Sequence, residues 1–415
     1  MASDFDFFDP EFQKDVHPHF ARMREECPMA RAEEPFDWYA VTREKDVRAL
    51  LHDWKQWTSE LGPGLARSGG GVLVSVDPPE HTFDRRLVNR AFTPASLLAM
   101  EPEITELIDE IIDGFVQKGE GDFMQLLAVP VPLIVIAWLL GLDPDLVQQM
   151  RPRADSVIAA NALEQEEMAR QMAAEVESEG RDAARSTASR SMSEVQYFLG
   201  TIAERRAMHA AGEEMPQDTL TALVAAELNG RTLTDDEIIG FMGFLFIAGS
   251  ATTTQLIGNM IYRLLQNPDQ MELVKNNPDL YDTCVEESLR YDAPVNGLFR
   301  TAVEDTEFLG VQVPKNTKVL CMFGSANLDP EMWENPQKFD VTRDYEDLKL
   351  HYAFGQGIHY CMGAPLARVE AKVELKLVLE RMPNLRLTGE PEEISAPVLH
   401  GVETLPVAWD APSGS

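Results

Sequence analysis

Cys361 stands in a glycine-rich run, Phe354-Gly355-Gln356-Gly357-Ile358-His359-Tyr360-Cys361-Met362-Gly363. A helix-forming run, Ala364-Pro365-Leu366-Ala367-Arg368-Val369-Glu370-Ala371-Lys372, follows at once. Proline in the first turn and a stretch poor in β-branched residues favour helix there. The cysteine is therefore expected at a helix N-terminus, where unpaired N–H groups and the positive dipole end stabilise a thiolate. The glycines let backbone approach a flat partner closely. Such a loop can hold a sulfur anion against a metal centre and tune it through N–H···S bonds. A lone cysteine is more often a small buried hydrophobe, but this one has a patterned neighbourhood.

Three further constellations carry chemistry. Glu287-Ser288-Leu289-Arg290 puts an acid and a guanidinium three apart, on one helix face, where they can pair. His81 and Arg85 lie four apart, two donors on one face, which suits a dianionic group. A capping box, Thr234-Asp235-Asp236-Glu237, opens a helix that runs to about Gln266. That helix would be roughly 50 Å long at the standard rise. Its middle reads Phe244-Leu245-Phe246-Ile247-Ala248-Gly249-Ser250-Ala251-Thr252-Thr253-Thr254. Glycine and threonines there lower helix propensity and allow a local opening, with hydroxyls and water replacing backbone bonds.

Together these segments resemble the cytochromes P450, in family order from about residue 15 to 409. The Cys361 loop matches F-x-x-G-x-x-x-C-x-G. Residues 329–343, Asp329-Pro330-Glu331-Met332-Trp333-Glu334-Asn335-Pro336-Gln337-Lys338-Phe339-Asp340-Val341-Thr342-Arg343, match the meander D-x-x-x-W-x-x-P-x-x-F-D-x-x-R. The resemblance implies a mainly α fold with small β-sheets, and non-covalent haem b held between the long central helix and the cysteine loop and its helix. Cys361 would be the axial ligand. His81, Arg85, Arg300 and His359 would hold the propionates, and Phe354, Gly355 and Gly363 would line the cofactor. Glu287, Arg290 and Arg343 would form a buried structural network behind it. Ala248, Gly249, Ala251 and Thr252 occupy the oxygen-groove motif [AG]-G-x-[DE]-T-[TS].

Ala251 departs from that motif, because the usual acid is missing. In the family the acid and the alcohol deliver protons during oxygen activation. Here protons would come through water, Ser250 or a substrate group. Substrate-facing positions carried over are the 60–74 loop, Phe244, Leu245, Ala248, Val295, Leu298, Phe299 and the turn His400-Gly401-Val402. Most are apolar, so a hydrophobic small molecule is expected. Asn296 and His400 could each add a polar contact or satisfy backbone. The expected reaction is monooxygenation, with electrons from a separate ferredoxin and its NAD(P)H reductase. Ala251 motivates an alternative: peroxide-driven, nitric-oxide-reducing or substrate-assisted chemistry. A haem-binding protein without turnover is a further alternative.

Composition sets the frame. With 415 residues, 44% hydrophobic, the chain can bury a large core. No Pro/Gly/Ser-rich linker divides it, so one domain over 1–415 is expected, with extensions at about 1–14 and 410–415. Cys27, Cys284, Cys321 and Cys361 are far apart with no C-x-x-C, which fits a reducing cytosol and excludes a disulfide framework or zinc ribbon. The lack of C-x-x-C-H agrees with non-covalent haem. The start has no signal-peptide pattern, and the apolar run Leu126–Leu142 holds two prolines and is too short to span a bilayer. A cytoplasmic monomer, free of membrane, follows as the expectation. A net charge of −33 disfavours nucleic acid and anionic membranes.

Periodicity predicts helices over 17–27, 43–53, 80–91, 100–117, 126–140, 144–176, 190–211, 217–228, 234–266, 279–291 and 362–381. Strand-like pieces fall at 29–42, 297–302, 307–320 and 384–408. The polar stretch 164–193 reads as a solvated helix pair or loop, where the family's lid helices meet.

Overall fold

The computed structural model describes residues 12, 16–33, 36–65, 71–89, 92–143, 192–228, 230–394 and 398–412. The first part of the chain gives α1 (Val16–Glu26), β1 (Met29–Ala32), β2 (Trp38–Val41), α2 (Glu44–His52), β3 (Trp57–Thr58), α3 (Glu80–Val88), α4 (Pro94–Leu98), α5 (Glu101–Asp113), β4 (Glu120–Asp122) and α6 (Pro130–Leu140). Next come α7 (Met192–Ala211), α8 (Thr219–Val224), β5 (Glu227–Leu228), β6 (Arg231–Thr232), α9 (Asp235–Gln266), α10 (Pro268–Asn276) and α11 (Tyr281–Tyr291). The last part holds β7 (Gly297–Ala302), β8 (Thr306–Phe308), β9 (Val311–Val313), β10 (Lys318–Met322), α12 (Phe323–Ala326), α13 (Tyr345–Leu348), α14 (Ala364–Arg381), β11 (Arg386–Leu387), β12 (Glu392–Glu393), β13 (Val402–Thr404) and β14 (Pro406–Ala408). The helix expected at 144–176, positions 164–191 of the 164–193 stretch and positions 66–70 of the 60–74 loop lie outside the described residues.

Helices dominate, and the sheets are small. The largest has five strands in the order β1-β2-β10-β7-β3. β10 runs parallel to β2 and antiparallel to β7, with Val319 opposite Arg300. The single strand expected at 29–42 is instead a hairpin, with Met29 paired to Val41. Pro35 lies between the two strands, and proline cannot donate to a ladder. The 307–320 piece likewise divides into β8, β9 and the start of β10, because Leu309 and Gly310 turn the chain at positive φ. α10 was not expected. Its Asn267-Pro268 start is an ordinary helix entry, with proline in the first turn.

α9 is the axis of the fold. Its capping box forms: Glu237 N–H donates to Thr234 Oγ1 at 3.2 Å and Thr234 N–H to Glu237 Oε2 at 2.8 Å. Among the described residues it is the helix long and apolar enough to cross a membrane. Here it packs against α6, α11 and α14, and Thr253–Ile261 is buried on every side. α6 is apolar all round, as a helix enclosed by protein must be. The close α9–α6 crossing depends on Gly249: a Cβ there would lie 2.7 Å from Ile136 Cδ1. A larger residue would push α6 away, at a typical overpacking cost of about 1–3 kcal/mol.

The expected local opening of this helix is absent. α9 runs unbroken from Asp235 to Gln266. Ser250 Oγ donates to Phe246 O at 2.8 Å and Thr252 Oγ1 to Ala248 O at 2.7 Å. The hydroxyls thus add bonds to carbonyls four residues back and do not replace the ladder.

Candidate active site

The cysteine loop is a sequence of tight backbone bends. Gly355 and Gly357 take φ of +65° and +71°, and a Cβ on Gly357 would lie 2.7 Å from Leu51 O. Cys361 N–H donates to Phe354 O at 2.9 Å, closing the loop. The sulfur accepts backbone N–H bonds from Gly363 and Ala364, at the start of α14. Cys284 and Cys321 are buried, Cys27 is half-buried and Cys361 is exposed. Burial pushes the Cys321 thiol up to about 11 and that of Cys284 higher still.

The N–H groups at the helix start act on the sulfur in the expected direction, and burial opposes them. Cys361 is exposed by accessible surface, yet the protein mass around it pushes the thiol up, and the Gly363 and Ala364 N–H groups with the charges of Arg85 and Arg368 only partly offset it. Deprotonation at this loop therefore requires more than the dipole, and a coordinating metal supplies it outright.

Four nitrogen-bearing side chains from three separate elements converge beside the loop. His81 and Arg85 come from α3, Arg300 from β7, and His359 from the loop itself. The His81 and His359 rings lie 4.3 Å apart. Burial, then the neighbouring His359 and Arg85, bring the His81 pKa down to about 4. Arg85 Nη1 donates to Tyr360 O at 2.9 Å. Arg300 is 3% exposed, and its Nη1 bonds Phe299 O at 3.0 Å. Burial lowers its pKa, with no carboxylate in hydrogen-bond reach among the described residues. Among the described residues, the carboxylate acting on the group is Asp77, which is bonded to Thr58 and to Ser59 N–H and lies 3.7 Å from His359 Nε2. Such a group has donors and positive charge in excess of its anions. It fits a partner bringing two carboxylates, and with a coordinating sulfur at hand it fits haem.

The middle of α9 presents a second feature. Gly240, Gly243, Phe244, Ile247, Ala248, Ala251 and Thr252 are half-buried or exposed, while Phe241, Met242, Leu245 and Ser250 are buried. These positions follow the helical repeat and make one stripe, apolar except for Thr252, while Phe246 and Gly249 are also half-buried but lie off it. Ile247 is 41% exposed, and the sequence reading missed it. Projecting the helix at 3.6 residues per turn from Phe244 and Ala251 would have found it. Leu245 was expected on this stripe but is 4% exposed and faces the core. Gly249 faces α6, so its local part is close packing.

Three other expected substrate positions also sit elsewhere. Phe299 packs edge-on to Trp38 at 5.4 Å, on the sheet face opposite Leu298 and Arg300, as strand alternation requires. Val402 is 2% exposed and packs in the core beside Met124. His400 Nε2 is 3.3 Å from Asp292 Oδ1, and Asp292 also pairs with Arg263 and His17. Asn296 is buried, its N–H donating to Val398 O at 2.8 Å. Val295 is half-buried and bridges to Leu399.

The Glu287 network assembles as its spacing suggested. Arg290 Nε and Nη2 donate to the two Glu287 oxygens at 2.7 and 2.8 Å, and both side chains are fully buried. Arg343 Nε adds a bond at 3.3 Å, and Asp340 N–H another at 2.8 Å.

The family model for cytochrome P450 matches residues 38–382. Cytochrome P450 107B1 of Saccharopolyspora erythraea is 33% identical over 420 residues, covering 96% of each chain. The cytochrome P450 monooxygenase PikC of Streptomyces venezuelae is 33% identical over 416 residues, covering 96% of this chain and 92% of PikC. Among solved structures, CYP109E1 from Bacillus megaterium in complex with testosterone is similar at a TM-score of 0.78 and 30% identity, covering 95% of this chain and 99% of that one.

Proposed function

The chain belongs to the cytochrome P450 family of haem-thiolate monooxygenases, and we propose that it inserts one oxygen atom from O2 into a hydrophobic small molecule. Electrons would come from a separate ferredoxin and its NAD(P)H reductase. The observation that carries the reading is the meeting of the N–H-bonded Cys361 sulfur with the donor-rich group of His81, Arg85, Arg300 and His359. Cys361 would ligate the iron, and the four side chains would bind the propionates. When bound, haem supplies the two-electron activation of O2, one atom entering the substrate and the other leaving as water.

The chain's own residues do the rest. The apolar α9 stripe, with Phe244 and Ile247 as its bulky members, excludes water and orients an apolar substrate. The steroid held by CYP109E1 supports that substrate class. Thr252 Oγ1 keeps its proton on Ala248 O, and releasing that bond would let the hydroxyl pass a proton to or from water. Ala251 offers no proton, so water or a substrate group must relay it. A cytoplasmic monomer of one domain accompanies this reading.

The test is the reduced carbonyl complex of the haem-loaded protein. The parent should show the strongly red-shifted Soret band of thiolate ligation. Cys361→Ser should lose it, whereas replacing Cys27, Cys284 or Cys321 should not. A band that survives Cys361→Ser would remove the assignment. Ala251 also favours a second reading, substrate-assisted or peroxide-driven chemistry. A positioned acid typically contributes about 10²–10⁴-fold. Ala251→Asp should therefore raise oxygen-dependent turnover, toward the low end of that range because water already relays protons. Flat or lowered turnover, with efficient coupling in the parent, would favour the second reading.

A further inference from the structure

Glu286, beside Glu287 on α11, takes no part in the Glu287 network. It is 1% exposed, and both oxygens are occupied by groups behind the cysteine loop. Arg368 of α14 donates from Nε to Oε1 and from Nη2 to Oε2 at 2.9 Å. His351 Nε2 lies 3.1 Å from Oε2. Ala353 N–H donates to His351 Nδ1 at 3.1 Å, so Nδ1 carries the lone pair and the proton sits on Nε2, aimed at Glu286. The ring is neutral, and burial keeps it so. The cluster is one anion, one cation and one neutral imidazole.

This cluster grips the loop. The Arg368 guanidinium lies over the Phe354 ring at 4.6 Å, and the His351 ring is 5.6 Å from it. Phe354 O accepts the Cys361 N–H bond. Arg368 Nη1 also reaches the hydroxyl of Tyr360, the residue before the ligand, at 3.5 Å. The Arg368 guanidinium thus touches both the residue that accepts the Cys361 N–H and the residue that precedes Cys361. Whatever fixes and offsets the Arg368 charge therefore acts on the loop that holds the sulfur.

We propose that Glu286 is a positioning residue for the thiolate loop: it holds Arg368 against Phe354 and cancels part of its charge, so the pair sets the reduction potential of the group Cys361 holds. The inference rests on the haem-thiolate reading. A positive charge near the sulfur favours the reduced, more negative state, and a negative charge disfavours it.

The experiment is a redox titration of the haem-loaded protein, with the reduced carbonyl spectrum recorded for each variant. Glu286→Gln leaves the Arg368 charge unopposed and should shift the midpoint potential upward, keeping the red-shifted band. Arg368→Gln leaves the Glu286 charge unopposed and should shift it downward. The double variant should return toward the parent, and Glu286→Asp should stay close to it. Should Glu286→Gln not fold, Arg368→Gln and the charge-neutral double variant still carry the test. Single shifts of one sign, or none, overturn the proposal, because loss of packing alone has no reason to change sign with charge. A parent without the thiolate band would overturn the functional reading itself. A parent with the band but immobile potentials overturns only this inference.

Discussion

Two pairs of glutamates on adjacent helices meet opposite fates. α11 carries Glu286 and Glu287, and α14, which packs against it, carries Glu370 and Glu374. None of the four is more than 2% exposed. Glu287 collects Arg290, Arg343 and a backbone N–H, while Glu286 collects Arg368 and His351. Although burial opposes it, these partners hold the Glu286 carboxyl at about 2. Oε2 of Glu370 and both oxygens of Glu374 have no hydrogen-bond partner among the described residues. Burial pushes both carboxyls well above the usual range, and Glu370 raises Glu374 further. Residue type and burial are the same in both pairs. The charge state is decided by partners that other segments bring, and α14 itself supplies Arg368 to its neighbour while leaving its own acids neutral.

The sharpest way to break this comparison is to remove one member of the satisfied pair. Glu287→Gln strands Arg290 without its counter-charge in the core, which typically costs about 3–5 kcal/mol. Urea unfolding should register a loss of that size, with haem retention falling alongside. A loss below about 1 kcal/mol would mean that the network is energetically idle, and the contrast with α14 would fail.

The unsatisfied pair predicts the reverse sign. Glu374→Met removes two orphaned oxygens, each a desolvated group worth about 1–3 kcal/mol when unmatched. The variant should unfold at higher temperature than the parent. Its pH dependence sharpens the point. A folded pKa raised above the ordinary glutamate value of 4.5 means the native state binds the proton more tightly. The parent therefore loses stability as pH rises above about 4.5, and the advantage of Glu374→Met should be widest at neutral pH and fade in acid. Glu286 works oppositely: its contribution is present above about 4.5 and lost as pH falls toward about 2. An advantage for Glu374→Met that grows in acid would show that the carboxyl is ionised and partnered in solution.

The smallest effect belongs to a third pair between the same helices. Lys372 Nζ of α14 bonds Asp282 Oδ2 of α11 at 2.8 Å, with both side chains largely exposed. Lys372→Ala should change stability by no more than about 1 kcal/mol, and less in high salt. A larger loss would indicate that distance from water is not what separates these three pairs.

Much of the candidate site was legible in the sequence because its parts are local. The capping box, the Glu287–Arg290 spacing, the His81–Arg85 spacing and the cysteine before a helix each lie within ten residues. Their geometry follows from helix periodicity and cap chemistry. The faces of the elements were harder to read. Leu245 and Ile247 are equally apolar, yet only the second lies on the open stripe, and Phe299 was assigned to the wrong side of its strand. A pattern gives the period of a helix or strand, but its phase is set by which neighbour covers it.

What the sequence determined alone is the inventory and its spacing: one loop cysteine ahead of a helix, paired donors, a long capped helix whose motif lacks an acid at Ala251. Tertiary structure decided the electrostatics. It withheld a carboxylate partner from Arg300, raised the Cys361 thiol against its helix dipole, paired Glu286 and left Glu374 alone. The physical reason is that spacing along a chain is covalent, whereas desolvation and charge pairing are sums over atoms the fold brings from far away, and a single segment does not contain them.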